Sequence, residues 1–385
     1  MSTTAQIIES IETIIVDLPL VREQRFAAKG ARSQSIVYIF VKTRDGIEGV
    51  GESATPSGPW WGGEAPETIK LMIDIYLTPL LLGEDAFNID ALMAKMDGKV
   101  FGNNFAKAGL EMALLDIQGK ALNQPVYNLL GGKVRDSLPM SWPLATGDPK
   151  AEIEEAEGNI ADKLHNIFKL KMGFLDPKTD VDRACTVARA LRDHASIRAD
   201  VNERWDEETT SWAVPRMIDA GLALIEQPMP RWNLEAAARL TAAINIPHLL
   251  DESVCTEQDM LRVAKTNAGN LVSLKIMKSG GIRRTKLIAD MALAAGIPLY
   301  MGTFLEPSYG AGANMQLCAT LRDLPYGGEL AGGLLVAEDI CETSANYQDF
   351  ELHLQEGVGM AMKIDPDKLR AFRRDREYSI HAFSK

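Results

Sequence analysis

The sequence predicts an α/β protein in which an N-terminal α+β region precedes a closed barrel of parallel strands. Beyond about residue 135, short apolar runs alternate with amphipathic helical segments of the length that β/α units need. At least six such units occur, without the glycine-rich turn that a dinucleotide-binding sheet carries after its first strand. Before them, an Asp-Gly turn between two β-rich runs marks a hairpin.

Composition limits the class of protein. At 385 residues, the chain is long enough for one large and one smaller domain. No run of eighteen apolar residues is present, so no membrane-spanning segment is predicted. The start "MSTTAQIIES" lacks the basic and apolar blocks of a secretory signal. The four cysteines are scattered without a CxxC pair, which favours a reduced compartment, and we therefore expect a cytoplasmic protein.

The net charge of −12 argues against nucleic acid or an anionic membrane surface as a partner. If the protein binds an anionic ligand, the positive charge that attracts it must be concentrated at the binding site. The five histidines show neither HxH nor HxxxH spacing, so no histidine-based metal site is predicted.

The first region predicts strands and then helices. "SIVYIFVKT" and "IEGVGES" are β-rich runs joined by Arg44-Asp45-Gly46. "NNFAKAGLEMALLDIQGKAL" has apolar residues at three- and four-residue spacing, and Asn103 or Asn104 is expected to cap this helix. "LLGGKVRDS" ends the region near residue 135.

The second region predicts the barrel. Segments such as "EEAEGNIADKL" and "DVDRACTVARALRD" have helical patterns and lie between apolar runs. The runs predicted as strands are "IFKLKMG", "ASIRADVN", "LALIEQP", "IPHLLDES", "LVSLKIMK" and "IPLYMGTFLE".

Five ionisable residues fall near the ends of successive apolar runs. Lys171, Asp200, Glu226, Asp251 and Lys275 are separated by 29, 26, 25 and 24 residues, about one β/α unit each time. Groups at the same phase of successive units lie side by side at one end of a barrel. Such barrels keep their chemistry at the C-terminal end of the strands.

Three of these residues predict a metal site. A single acid near a strand end is usually a helix N-cap, and that alternative applies to each of them taken separately. Three acids in phase, Asp200, Glu226 and Asp251, would repel one another in a partly buried site unless a cation is bound. Carboxylate oxygens favour Mg²⁺ or Mn²⁺ over zinc.

The lysines predict proton transfer. Lys169 and Lys171 are two residues apart, so both side chains lie on the same face of their strand. Two lysines on an outer edge strand would simply face solvent, and that is the alternative. We favour the barrel interior, because the lysines lie at the same place relative to their strand end as the carboxylates of the following strands. Lys275 would approach from the opposite side. Repulsion between the lysines, together with the charge of a nearby cation, should favour a neutral amine on at least one of them, as a base requires.

Together these groups suit chemistry beside a carboxylate. An α-proton of a carboxylate is weakly acidic because the resulting enolate carries too much charge. A divalent ion on the carboxylate oxygens stabilises that charge while a lysine moves the proton.

The motifs "FKLKMG", "RADVNERWD", "LIEQP", "LLDES" and "SLKIMKSGG" resemble, in order and spacing, those of the muconate lactonizing subgroup of the enolase superfamily. The resemblance extends over essentially the whole chain, including "GGELAGGLL" and "YQDFELHL". It implies a modified (β/α)₇β barrel with an α+β capping domain made from both chain ends. The implied division is residues 1–135 for the cap, 136–350 for the barrel, and 351–385 for a segment returning to the cap.

The resemblance also implies roles for individual residues. The implied ligands of Mg²⁺ or Mn²⁺ are Asp200, Glu226 and Asp251. Lys171 becomes the acid/base, Lys275 lies on the other face, and Glu329 is a second proton-transfer group, although a loop carboxylate is an alternative for it. Residues implied to contact or support the substrate are Lys169, Asn202, Trp60, Trp61 and Glu306.

The activity implied is conversion of cis,cis-muconate, or a substituted muconate, to muconolactone through an enolate protonated by Lys171. A small-molecule carboxylate is then the partner, and the family implies a homo-oligomer, often an octamer. An alternative with the same site is a racemase, epimerase or dehydratase of an amino-acid-derived carboxylate. A third is a barrel retained only for binding or assembly.

Two loops are expected to select the substrate, residues 19–34 and 55–67. "GPWWGGE" in the second is closer to the chloromuconate cycloisomerases than to the plain muconate enzymes. Trp60 and Trp61 are suited to shield a planar diene or to stack on a cation, and packing against the barrel rim is an equal alternative. Pro307 replaces a glycine usual in the family.

Overall fold

The structure is a computed structural model that describes residues 5–25, 30–56 and 58–374. Two parts are recognisable, an N-terminal region built on an antiparallel sheet and a barrel built on a parallel sheet. The strands in the described residues are β1 (Ile8–Arg25), β2 (Gly30–Thr43), β3 (Glu48–Ala54), β4 (Ser137–Pro139), β5 (Ser141–Leu144), β6 (Ile167–Lys171), β7 (Ser196–Asp200), β8 (Leu222–Glu226), β9 (His248–Leu250), β10 (Leu271–Leu274), β11 (Leu299–Met301), β12 (Asn346–Gln348) and β13 (Glu351–His353).

Helices cover one face of the first sheet and surround the second. The α-helices are α1 (Pro66–Leu71), α2 (Thr78–Leu81), α3 (Ile89–Asp97), α4 (Asn104–Leu122), α5 (Val126–Leu129), α6 (Pro149–Ala161), α7 (Pro177–Leu191), α8 (Glu207–Ala220), α9 (Leu234–Ala243), α10 (Glu257–Thr266), α11 (Ile276–Ser279), α12 (Ile282–Ala294), α13 (Ser308–Cys318), α14 (Gly332–Leu335) and α15 (Pro366–Phe372). A π-helical segment, Met72–Leu77, joins α1 to α2.

The first sheet has the order β1-β2-β3, and all its pairs are antiparallel. The predicted Asp-Gly turn joins β2 to β3. Gly46 has φ 83°, and its N–H donates to the carbonyl of Thr43 at 2.9 Å. A positive φ is the conformation that glycine adopts most easily, so the hairpin prediction is confirmed.

The start of α4 differs from the prediction. Asn103 occupies the position before the helix with φ 53°, but its side-chain Nδ2 donates to the carbonyl of Phe101 rather than capping the helix. The carboxylate of Glu64 accepts instead from the backbone N–H groups of Phe105 and Ala106, at 3.0 and 3.2 Å. Asn103 therefore holds the predicted N-cap position without a capping hydrogen bond from its side chain, because an acid from a distant loop satisfies these donors.

Helix α4 is buried on nearly every side and holds the two parts together. It packs on β3 so closely that a Cβ on Gly51 would lie 1.9 Å from the carbonyl oxygen of Gly109. On another side, the Asn104 Nδ2 donates to the carbonyl of Lys278, just beyond the barrel strand β10. The α-helical spacing read from the sequence therefore belongs to a helix with no solvent-facing stripe over most of its length.

The second sheet has seven strands in the order β5-β6-β7-β8-β9-β10-β11, with every neighbouring pair parallel. A short segment at residues 327–329 completes the ring. Its Gly328 forms parallel bridges with Met140 on one side and Met301 on the other. Seven β/α units followed by a last short strand form the predicted (β/α)₇β barrel, and the predicted fold class is confirmed.

The end of the described chain returns to the first sheet. Arg373 bridges Val16 of β1, and Arg374 contacts Asp17 through Nε and Nη2 at 2.7 and 2.6 Å. The domain limits at residues 135 and 350 stay a prediction. Residues 375–385 of the predicted returning segment lie outside the described residues, as do residues 26–29 and 57 of the two predicted substrate loops.

Across the part of the chain that the structure describes, no helix combines the length and apolar character needed to cross a lipid bilayer.

Candidate active site

Strand register brings the predicted groups to one end of the barrel. Lys171 is the Cα partner of Asp200 across β6 and β7, and Asp200 is the partner of Glu226 across β7 and β8. Asp251 follows β9 and Lys275 follows β10 by one residue each. Parallel strands in register end at the same edge, so these five residues form one continuous charged arc.

Lys169 and Lys171 face the same side of β6 and share a carboxylate. The Lys169 Nζ lies 2.7 Å from Glu226 Oε2 and 2.5 Å from Glu329 Oε2. The Lys171 Nζ lies 3.0 Å from Asp200 Oδ2 and 3.2 Å from Glu329 Oε1. Glu329, on the segment that closes the barrel, thus bridges both lysines.

Two lysines also pair with Asp251 on the other side of the barrel. Lys275 Nζ lies 2.6 Å from Asp251 Oδ2, and Lys278 Nζ lies 2.8 Å from Oδ1 while donating to the Asp251 carbonyl at 2.6 Å. Lys278 was not predicted. Its signal was its position three residues after Lys275, which puts both on one side of a helical turn.

Without a bound cation, these pairings favour the charged form of the lysines, so the neutral amine expected beside a metal ion stays a prediction. Burial lowers the pKa of Lys171, but the negative charges of Glu329 and Asp200 outweigh it and raise the pKa above its usual value. For Lys275, Asp251 and Glu226 have the same effect on the pKa against burial. The prediction counted repulsion between the lysines and the charge of a bound cation, whereas in this structure each of these two ammonium groups has a carboxylate within 3.0 Å.

The pKa values of the buried acids differ according to the charged groups beside them. Burial raises the pKa of Glu329, yet Lys169 and Lys171 bring it down to about 2, so this carboxylate is ionised. Burial and the charge of Asp200 raise the pKa of Glu226 to about 7, against the lowering effect of Lys169. Asp251 has a lowered pKa because the charges of its two lysines overcome burial.

The donor set fits a divalent cation. The charges of both Asp200 and Asp251 raise the pKa of Glu226, so the three carboxylates repel one another within a buried space. In residues 5–25, 30–56 and 58–374, no group of three His, Cys, Asp or Glu side chains has its donor atoms close enough together to hold a metal ion. Each of the three acids instead directs an oxygen to a lysine. A cation among them would offset the repulsion.

A further acid, Glu252, was missed. It is 3% exposed, and burial followed by the charges of Asp251 and Asp200 raises its pKa well above the usual value. Asn202 links it to the site, because its Nδ2 donates to Glu252 Oε1 at 3.0 Å and its backbone N–H donates to Asp200 Oδ1 at 3.0 Å. The second acid of "LLDES" was the available signal.

A cavity of about 250 Å³ opens above these groups. Its wall includes Pro56, Trp60, Trp61, Lys171, Asp200, Asn202, Glu203, Arg204, Arg231, Glu252, Lys275, Thr303, Phe304 and Leu305. Lys171 and Lys275 thus reach the cavity, while Lys169 is enclosed beneath it by its two carboxylates. The structure gives no support to the predicted contact between Lys169 and the substrate.

The tryptophans of the cap loop differ in their surroundings. The Trp61 ring packs edge-on against Phe304, with 4.8 Å between centroids. The Arg231 guanidinium lies 5.3 Å and the Lys275 Nζ 4.9 Å from the Trp61 centroid. Trp60 is 45% exposed and lines the cavity. Trp61 therefore packs against the barrel rim, and Trp60 is the more accessible of the two rings.

Glu306 does not line the cavity, which corrects its predicted contact with the substrate. It is buried, and its Oε2 accepts from the Thr303 hydroxyl at 2.5 Å and from the Phe304 N–H at 2.7 Å. It therefore shapes the cavity wall from behind. Where the N-terminal region packs on the barrel, Glu306 has Glu52 of β3 as its neighbour. The Glu52 Oε2 accepts from the Gly310 N–H at 3.0 Å.

Replacing Glu52 by glutamine is expected to raise thermal stability at pH 8 and to change it less near pH 5. Burial, and then the charge of Glu306, raise the pKa of Glu52 well above its usual value. Below the pKa that Glu52 has in the unfolded chain, its carboxyl group is neutral in both states and the free energy of unfolding is at its full value. As the pH rises from there towards the higher pKa that Glu52 has in the folded protein, the unfolded state gains by ionisation and the free energy of unfolding falls. The loss is about 1.4 kcal/mol for each pH unit that separates these two pKa values. Glutamine is neutral throughout.

Melting temperatures of the wild type and this variant at both pH values measure the effect. Glu9→Gln, at an exposed position of β1, is the matched control. A difference between wild type and Glu52→Gln that is the same at pH 8 and pH 5 would contradict a raised pKa at Glu52.

Comparisons with known proteins agree with this architecture. Residues 10–131 match the family model described as "Mandelate racemase / muconate lactonizing enzyme, N-terminal domain". Residues 151–368 match the one described as "Enolase C-terminal domain-like".

Individual relatives match over nearly their whole length. A chloromuconate cycloisomerase from Cupriavidus pinatubonensis is 49% identical over 371 residues, 96% of this chain and 100% of that protein. Muconate cycloisomerase 1 from Pseudomonas putida is 43% identical over 96% of this chain and 100% of that protein. The crystal structure of a muconate lactonizing enzyme from Pseudomonas fluorescens, complexed with muconolactone, has a TM-score of 0.94 and 44% identity, covering 96% of this chain and 100% of that one.

The family models cover most of the chain, and the identities hold over almost all of it. The chain is therefore a member of the mandelate racemase/muconate lactonizing enzyme family, in the muconate lactonizing subgroup of the enolase superfamily.

Proposed function

We propose that this protein is a muconate cycloisomerase, which converts cis,cis-muconate or a substituted muconate into the corresponding muconolactone. One observation carries the mechanism: Lys171 reaches the cavity beside Asp200, and Lys275, which is paired with Asp251, reaches the same cavity from the opposite side. The relatives that match over whole chains are muconate and chloromuconate cycloisomerases.

In the forward reaction Lys171 acts as an acid. One substrate carboxylate adds to the diene, charge builds up on the other carboxylate, and the carbon next to it accepts a proton from the Lys171 ammonium group. Glu329 and Asp200 orient that ammonium group through contacts of 3.2 and 3.0 Å. Lys275, across the cavity, places a second positive charge near the developing enolate. After the transfer, Lys171 is reprotonated from water that enters through the cavity, and the ionised Glu329 stabilises the restored ammonium group.

Enzymes of this superfamily depend on a divalent metal ion, and we propose Mg²⁺ or Mn²⁺ for this chain. Asp200, Glu226 and Asp251 would hold the ion, since all three supply hard oxygen donors from neighbouring strand ends. When bound, it would supply Lewis-acid stabilisation of the charge that develops on the substrate carboxylate.

The racemase, epimerase or dehydratase alternative is not favoured. A cationic substrate nitrogen near Trp61 is the feature that would support it. The Trp61 ring already lies within 5.3 Å of the Arg231 guanidinium and 4.9 Å of the Lys275 ammonium group. A further cation there would be repelled by both. An anionic dicarboxylate suits the same surroundings.

We further propose that the enzyme is cytoplasmic and forms a homo-oligomer, for which an octamer is the assembly that the family suggests. Apolar side chains exposed on the cap support self-association: Leu71, Ile75, Tyr76 and Leu82 are each between 45% and 60% exposed, along the helical run from α1 to α2 and at the residue that follows it. Light scattering of the purified protein measures the assembly, and a monomer at micromolar concentration would contradict the proposal.

The test of function is incubation of the Mn²⁺-loaded protein with cis,cis-muconate. The ultraviolet absorbance of the diene should fall as muconolactone appears in the NMR spectrum. A chloro-substituted muconate run in parallel measures the substituent preference. Absence of lactone, from a protein that still exchanges the α-protons of amino-acid derivatives with D₂O, would replace cycloisomerisation by the racemase or epimerase hypothesis.

A further inference from the structure

The cations of the cavity wall are not equivalent. Four are present: Lys171, Arg204, Arg231 and Lys275. The two lysines contact site carboxylates, and Arg231 holds Glu203 through its Nη2 at 2.7 Å and Nε at 3.0 Å. Among residues whose structure is described, the Arg204 side chain has no hydrogen-bond or ion-pair partner. A guanidinium with five donors is thus free at the cavity.

The backbone beneath Arg204 is well held. The loop leaving β7 carries Asn202 and Glu203 with φ values of 46° and 67°, and the Glu203 N–H donates to the Gln227 carbonyl at 2.9 Å. Non-glycine residues adopt such φ values only where their surroundings enforce them. The loop is therefore fixed while the Arg204 side chain remains free to meet a ligand.

Arg204 lies on the same flank of the cavity as Lys171. A Cβ on Gly173, two residues beyond Lys171, would lie 2.7 Å from Arg204 Cγ, so the arginine stem rests on the backbone at the end of β6. Arg204 and Lys171 both line the wall of the cavity.

A muconate carries two carboxylates with different fates. The carboxylate beside the metal ligands gains charge as its α-carbon becomes nucleophilic. The other attacks: one of its oxygens forms the C–O bond, the π electrons move towards the first carboxylate, and the Lys171 ammonium proton ends on the α-carbon. The attacking carboxylate becomes an uncharged lactone ester, so its attraction to a cation is lost during the reaction.

We infer that Arg204 is a specificity-determining residue that binds the attacking carboxylate of the substrate. This inference rests on the proposed function. Since the paired charge disappears on ring closure, the interaction stabilises the bound substrate more than the transition state. It also weakens on the product side, which favours release of the lactone. A free arginine at this point selects dicarboxylates over monocarboxylates.

Arg204→Gln is the test, measured beside wild type with cis,cis-muconate. We expect KM to rise about tenfold and kcat to increase as well, because the variant loses more binding in the ground state than in the transition state. The inhibition constant of muconolactone should not change, since its ester carries no charge for Arg204. Arg204→Lys, which keeps the positive charge, should recover part of the affinity.

The controls separate this inference from the proposed function. Arg322→Gln, at an exposed position after α13 and outside the cavity wall, should match wild type. No turnover by wild type overturns the function and the inference together. Turnover by wild type with an unchanged KM in Arg204→Gln overturns the inference alone. A muconolactone inhibition constant that rises in parallel with KM would also overturn it, since Arg204 would then bind a group that survives in the product.

Discussion

Lys171→Ala is expected to reduce the turnover of cis,cis-muconate by at least about 10³-fold while the protein remains folded. The Lys171 ammonium group is held by Asp200 and Glu329 at the cavity wall, and Lys169, the only other lysine of β6, is enclosed below it. No other lysine on this side of the cavity can therefore take over the delivery of a proton. Steady-state rates with saturating Mn²⁺ measure the loss.

Two further variants make this result specific. Lys171→Arg keeps a positive charge against Asp200 and Glu329 but donates a proton poorly, so it should be nearly as inactive as the alanine variant. Lys178→Ala, at an exposed position of α7, should match wild type. If Lys171→Arg retained most of the wild-type rate, charge pairing rather than proton transfer would be the role of Lys171.

Asp251→Asn is expected to weaken Mn²⁺ binding by at least about a hundredfold, a larger loss than that of a group outside the ligand set. Asp251 combines one lysine on each carboxylate oxygen with a position at the end of its strand. The amide keeps the shape and one acceptor for Lys278 but removes the charge that a divalent ion requires. Titration of Mn²⁺ followed by electron paramagnetic resonance measures free metal directly, independently of activity.

Stability must be measured in the same variant. Removal of the Asp251 charge leaves Lys275 and Lys278 buried with a neutral partner, and a loss of about 3–5 kcal/mol is expected without metal. Asp290→Asn, whose carboxylate pairs with Lys286 at the surface, is the control for carboxylate removal. Wild-type Mn²⁺ affinity in Asp251→Asn would remove Asp251 from the ligand set.

The strand-end groups were predictable because the barrel repeats. A separation of 24 to 29 residues returns the chain to the same end of the barrel, so Lys171, Asp200, Glu226, Asp251 and Lys275 could be assigned to one site without any contact being known. Their pairings could not be assigned. Which lysine meets which acid depends on strand order and side-chain reach, and both are tertiary properties.

The error at Glu306 has a local cause. Its run ends in an acid like the others, but β11 stops at Met301, and the chain then turns. Thr303 and Phe304 supply donors three and two residues before Glu306, which draw its carboxylate back into its own turn. Leu305, with φ 63°, marks that reversal, and the sequence carries no glycine there to indicate it.

The closing segment of the barrel has a consequence for biosynthesis. Gly328 bridges Met140, so the first and last strands of the ring meet only after most of the chain has left the ribosome. The Gly328 carbonyl and the Ser141 hydroxyl that donates to it are 187 positions apart, and joining such distant parts carries a large loop-closure cost. The same late arrival delivers Glu329 to Lys169 and Lys171. A nascent chain that ends before this point lacks the group that bridges both lysines, so assembly of the catalytic centre and completion of the ring are a single terminal event.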